Sequence, residues 1–98
     1  MYVLATLRYR VPIETVVQHT EAHRAYLRQL KEQGKLVASG PFDPRTGGAL
    51  LLRLPDGTPW AEIAALRDGD PFVQLGVAQY DLQAWNVTIG RESLDGVK

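Results

Sequence analysis

The chain has no cysteine, which excludes disulfides, thiolate metal sites and thiol nucleophiles together and fits a reducing compartment. It has no surplus of charge: Lys and Arg number 11, Asp and Glu number 11, and the formal net charge is zero. No overall field draws such a chain to nucleic acid or to an anionic membrane. A long hydrophobic run is missing too. The apolar stretch from Met1 to Leu7 lacks a basic leader, runs into Arg8 and Arg10, and is too short for a signal core or a membrane span. Repeats, low-complexity tracts and interdomain linkers are absent. These absences predict one soluble, cytoplasmic domain over residues 1–98, with no nucleic-acid and no membrane partner. A chain of this size buries roughly two-thirds of the surface its unfolded form exposes, enough for a modest core without staples.

What is present alternates between strand-like and helix-like segments. Tyr2 to Tyr9 is rich in β-branched, aromatic and aliphatic residues and reads as a first strand; its apolar side chains lie on both faces, which asks for a second covering layer. Pro12 suits the first turn of a helix expected over about residues 12–33, with Glu14 near its positive end and Arg28 and Lys31 toward its negative end. Gly34 stands where a left-handed residue ends a helix. Lys35 to Gly40 reads as a second strand, the turn Phe42-Asp43-Pro44-Arg45-Thr46-Gly47-Gly48 follows, and Ala49 to Leu54 completes a hairpin. Thr58 is expected to cap a second helix over Trp60 to Arg67. Asp70 before Pro71 is expected to cap a short third one, and a last strand is expected over Tyr80 to Ile89. Residues 90–98 read as a polar tail.

Strand, helix, strand, strand, helix, strand is the split βαβ order of the ferredoxin-like α+β fold, a four-stranded antiparallel sheet with helices on one face. The other sheet face is then bare. Leu4, Leu51, Trp85, Val87 and Ile89 are apolar residues left over for it, so two sheets are expected to pair in a homodimer.

Within the first helix, the apolar spacing of Ile13, Val16, Leu27 and Leu30 continues through Thr20 and His23. The histidine therefore points inward. Imidazole is the side chain most easily tuned for proton transfer near neutrality; burial favours its neutral form and an adjacent carboxylate its charged form. Three site chemistries compete. RNA recognition on this topology needs aromatic residues on the central strands, and the third strand here is aliphatic. A metal has His19 and His23 four residues apart, but only Thr20, Glu21 and Ala22 between them and no cysteine to add; a solvated His19 is the simpler reading. A proton-transfer pair of His23 with Asp70 stands against a satisfied core histidine and an ordinary helix cap.

The segments Glu21-Ala22-His23-Arg24-Ala25-Tyr26-Leu27, Gly34-Lys35-Leu36-Val37-Ala38-Ser39-Gly40-Pro41-Phe42 and Asp70-Pro71-Phe72, with Gly47, Gly48 and Trp85, resemble the YciI-like (YCII-related) family over almost the whole chain. The resemblance implies a dimeric ferredoxin-like fold related to muconolactone isomerase and an active site built from a histidine and an aspartate, matching His23 and Asp70. Ser39, in the small-residue stretch with Gly40 and Pro41, is implied as a supporting hydroxyl. Many relatives carry arginine three places before the histidine and leucine just after it, where this chain has Thr20 and Arg24.

One branch of the family resembles a cofactor-free dehydrochlorinase acting on chlorinated hydroxyquinols. The chemical logic transfers, the substrate does not. Asp70 would orient and charge His23, and the ring would move a proton on a small organic acid or phenol-like compound, without a cofactor or a metal. General acid–base assistance of this kind contributes about a hundred- to ten-thousand-fold in rate, which suits elimination, isomerisation or tautomerisation. Tyr9, Phe42 and Phe72, at the ends of elements, are expected to line the pocket. The alternative is a non-enzymatic ligand-binding or interaction domain in which His23 only donates a hydrogen bond.

Overall fold

A computed structural model describes residues 1–96. In chain order the elements are β1 (Tyr2–Tyr9), α1 (Ile13–Glu32), β2 (Leu36–Pro41), β3 (Gly47–Arg53), α2 (Trp60–Asp68), α3 (Pro71–Gln74), β4 (Ala78–Trp85) and α4 (Arg91–Asp95). The sheet runs β2-β3-β1-β4 with every neighbour antiparallel, the ferredoxin-like arrangement. Among the described residues no helix is long and apolar enough to cross a membrane.

Strand parity decides the two faces. Val3, Ala5 and Leu7 of β1 pair across to Leu52, Leu50 and Gly48 of β3, and their side chains meet Val16, Leu27 and Leu30 of α1, Ile63 of α2 and Phe72 of α3 in one core. The helix that carries His23 ends as the sequence predicts. Gly34 adopts a left-handed φ of 75°, Lys35 N–H donates to Leu30 O and Gly34 N–H to Lys31 O, the paired bonds of a Schellman end. This turns the chain straight back into β2 under α1.

The opposite face is partly open. Leu4 is 38% exposed and Trp85 46%. Residues 91–95, expected as tail, form α4, which covers one end of this face: Tyr2 Oη donates to Asp95 Oδ1 and Arg53 Nη1 to the carbonyl of Leu94. The remainder of the expected tail, residues 97 and 98, lies outside the described residues.

Four expectations need correction. The last strand spans 78–85 and not 80–89, because Trp85 pairs with Tyr2, the first residue of β1, and beyond it there is no strand left to pair with. Val87, counted for the open face, is buried. Ile13, counted on the inward stripe of α1, is 41% exposed at the helix start. Thr58 does not cap α2: its hydroxyl closes the preceding turn on Pro55 O at 2.6 Å, and Pro59 holds the cap position without a side-chain bond.

Candidate active site

Asp70 is fully buried, a costly place for a carboxylate unless its oxygens are satisfied. Its backbone caps α3, and Oδ1 accepts from the N–H of Phe72 at 2.9 Å. Tyr80 Oη, from β4, donates to Oδ2. The third donor is the imidazole of His23: Nδ1 lies 2.7 Å from Oδ2 and 3.0 Å from Oδ1. Burial first, then the Asp70 charge and hydrogen bond, push the Tyr80 hydroxyl far above its ordinary range, so it remains a donor to the carboxylate.

This donor count fixes the histidine tautomer. A carboxylate only accepts, so Nδ1 carries the proton and, in the neutral ring, Nε2 carries the lone pair. Phe72 lies flat against the imidazole, with centroids 4.0 Å apart and planes 2° from parallel, and Tyr9 meets Phe72 edge-on at 6.1 Å. The ring is held by a hydrogen bond in its plane and by stacking across it. Among the described residues Nε2 has no hydrogen-bond partner.

His23 forms part of the wall of a cavity of about 170 Å³ between α1, the β2–β3 hairpin and α3. Drug-sized ligands occupy about 300–1,000 Å³, so this space suits one small ring. Leu7, Leu27, Leu50 and Phe72 give it apolar walls; Thr20, Arg24, Ser39 and Arg45 add polar groups. Of the expected residues, His23 and Asp70 are in direct contact, and Ser39 sits on the wall with no bond to either. Tyr9 and Phe72 line the cavity; Phe42 does not, since the strand-end backbone leaves it 42% exposed.

Sequence reasoning missed Tyr80 and Arg45. Arg45, from the hairpin turn, reaches back so that Nη2 donates to Thr20 Oγ1 at 3.2 Å and Nε to Tyr9 Oη at 3.4 Å. Thr20 and Arg24, the two positions where the chain departs from the pattern it resembles, both line the cavity. His19 is half-buried, and among the described residues no group of three or more His, Cys, Asp or Glu could hold a metal ion.

Residues 1–86 match the profile of the YCII-related domain. The chain belongs to the YCII-related family. A YCII-related relative, the uncharacterized protein YjpA of Bacillus subtilis, is 27% identical over 70 residues, covering 71% of this chain and 79% of that protein. Among solved structures, the 5-chloro-2-hydroxyhydroquinone dehydrochlorinase TftG of Burkholderia phenoliruptrix, in complex with 2,5-dihydroxybenzoquinone, superposes with a TM-score of 0.75. It is 24% identical, over 90% of this chain and 96% of that one. At that identity the likeness is one of YCII fold.

Proposed function

We propose that this single-domain protein is a lyase or isomerase that uses His23 and Asp70 for general acid–base chemistry on a small organic acid or phenol-like compound, cyclic in the form that best fits the cavity. One observation carries the reading: Nδ1 is bound to a buried, fully hydrogen-bonded carboxylate, while the ring lines a cavity and its Nε2 has no hydrogen-bond partner among the described residues. A core histidine would have both nitrogens spent. In the reaction Nε2 takes a proton from a carbon or hydroxyl of the bound compound, and the imidazolium formed is stabilised by Asp70; the same nitrogen returns the proton to a leaving group or to a second carbon. Ser39, which also lines the cavity, supplies a hydrogen bond to the compound. TftG, which shares the fold and carries a dihydroxybenzoquinone, agrees with a small hydroxylated ring as the ligand class.

Two further parts belong to this reading. The apolar residues exposed on the open sheet face, Leu4 and Trp85, pair two copies as a homodimer. The absence of cysteine agrees with a cytoplasmic location.

Turnover of a panel of hydroxylated aromatic and enolisable acids, measured beside sedimentation of the same samples, tests the reading. Wild type should sediment as a dimer and convert at least one panel member. His23→Gln should keep the dimer mass and lose the conversion by about a hundredfold or more. A wild-type monomer sinks the pairing. An undiminished rate in His23→Gln sinks the acid–base role, and saturable binding with no conversion by wild type makes this a ligand-binding domain.

A further inference from the structure

We propose that the compound bound in the cavity carries an ionised oxygen, and that Arg45 is the residue that holds this charge. The proposal rests on the cavity being the substrate site. Three observations carry it. The first is an unspent cation. The Arg45 guanidinium touches only two neutral oxygens, of Thr20 and Tyr9, at 3.2 and 3.4 Å, and among the described residues it has no carboxylate partner. Five N–H donors are available on such a group, so most of them remain for a ligand. Thr20 orients it: its own hydroxyl donates to Val16 O at 2.8 Å, which leaves an oxygen lone pair for the arginine.

The second is the balance of charge around the space. Arg24 and Arg45 border the cavity, and among the described residues that line it there is no carboxylate; Arg24 is shared with Glu21 at 3.8 Å, whereas Arg45 has no such pair. Asp70, the carboxylate bound to the His23 ring, is wholly buried and engaged by three donors. Arg45 is therefore the lining cation left to meet a negative charge in the space.

The third is that the hairpin holding Arg45 is tied down at its base. Tyr9 N–H donates to Thr46 O at 3.0 Å and Phe42 N–H to Gly47 O at 2.8 Å. A Cβ on Gly47 would lie 1.9 Å from Leu7 O, and one on Gly48 would lie 2.6 Å from Gly40 O. At positions 47 and 48 the backbone of this hairpin packs too closely on β1 and β2 for any other residue, so the turn that carries Arg45 at the cavity wall starts from a fixed base.

The chemical consequence is direct. When Nε2 of His23 removes a proton, the bound compound gains negative charge, and the Arg45 guanidinium already placed at its ionised oxygen lies beside that charge as it grows.

NMR titrations of wild type, Arg45→Gln and Arg45→Lys with benzoate and with its neutral isostere benzamide test the assignment. Wild type should bind benzoate more tightly than benzamide, and added salt should weaken only the benzoate. Arg45→Gln should lose about ten- to a hundredfold in benzoate affinity, the effect of one charged hydrogen-bond partner, with benzamide unchanged. Arg45→Lys should fall between, since it keeps the charge and loses the planar fork. An equal loss for both probes, an unchanged benzoate affinity in Arg45→Gln, or no saturable benzoate binding by wild type overturns the proposal. The ¹⁵N spectrum of His23 in Arg45→Gln separates this from the acid–base reading: a retained Nδ1–H tautomer means that the His23–Asp70 pair stands whatever the benzoate does.

Discussion

The two nitrogens of one imidazole sit in opposite surroundings. At Nδ1 everything is buried and spent: Asp70 has no solvent exposure and accepts from His23, Phe72 and Tyr80. On the side of the ring that lines the cavity the polar groups are half used. Ser39 and Arg45 are exposed, the Ser39 hydroxyl has no hydrogen bond among the described residues, and Arg45 makes two long ones to neutral groups. The buried end sets which proton the ring carries, and the open end sets what the ring can reach. A side chain given one fixed face and one free face is prepared for proton transfer in a way that a uniformly buried or uniformly exposed histidine is not.

The largest effect should come from breaking the buried end without changing its shape. Asp70→Asn replaces an acceptor by a group that also donates, so the ring should switch to the Nε2–H tautomer with Nδ1 accepting. The ¹⁵N spectrum of the ring reports this directly, and any activity should fall by about a hundred- to ten-thousand-fold. Retention of the wild-type tautomer together with the wild-type rate would show that the two ends are not different in kind.

Tyr80→Phe acts on the same end more gently. Loss of a donor to a buried charged group should cost about 1–3 kcal/mol in denaturant unfolding. The pH dependence gives a second readout. The fold holds the Tyr80 proton above its ordinary value of 10.0, so above that pH the unfolded chain binds fewer protons than the folded one. Stability contributed by the group is fully present below this value and declines as pH rises. Tyr2 and Tyr26 are also raised by burial, so Tyr80→Phe should flatten the alkaline decline without abolishing it. An unchanged slope would remove Tyr80 from the network.

The smallest effect belongs to the open end. Ser39→Ala removes an exposed hydroxyl with no hydrogen-bond partner among the described residues, so folding stability should stay within about 0.5 kcal/mol of wild type. Affinity for a ring ligand, measured by NMR titration, should fall by less than about tenfold. A loss as large as that of Asp70→Asn would mean that the open end is no freer than the buried one.

What could be read beforehand divides along similar lines. His23 was legible because helical spacing is local: Val16, Thr20, Leu27 and Leu30 are buried on the stripe that passes through it. The end of α1 was legible in Gly34, since the left-handed turn needs little beyond its own residue. Asp70 was legible as a helix cap from Asp-Pro alone, but its nearness to His23, 47 residues away, came only with the family resemblance. Tyr80 and Arg45 were not legible. Tyr80 faces Asp70 because strand register sets its parity, and the bounds of β4 were misplaced by two residues at its start and four at its end. Arg45 looked like one more polar residue in a turn, and its side chain is bound to Tyr9 and Thr20, 36 and 25 residues away in the sequence. Thr58 shows the same limit in reverse: a hydroxyl with two possible acceptor geometries took the one that closes its own turn.

The flat packing of Phe72 on His23 has a spectroscopic consequence. The carbon-bound protons of the imidazole lie within the shielding cone of the phenyl ring, and its ring current moves their resonances upfield. His19, the other histidine, has no aromatic ring stacked on it among the described residues. The two histidines of this protein are thus told apart by chemical shift alone, and His23 carries a built-in reporter of anything that slides between it and the cavity.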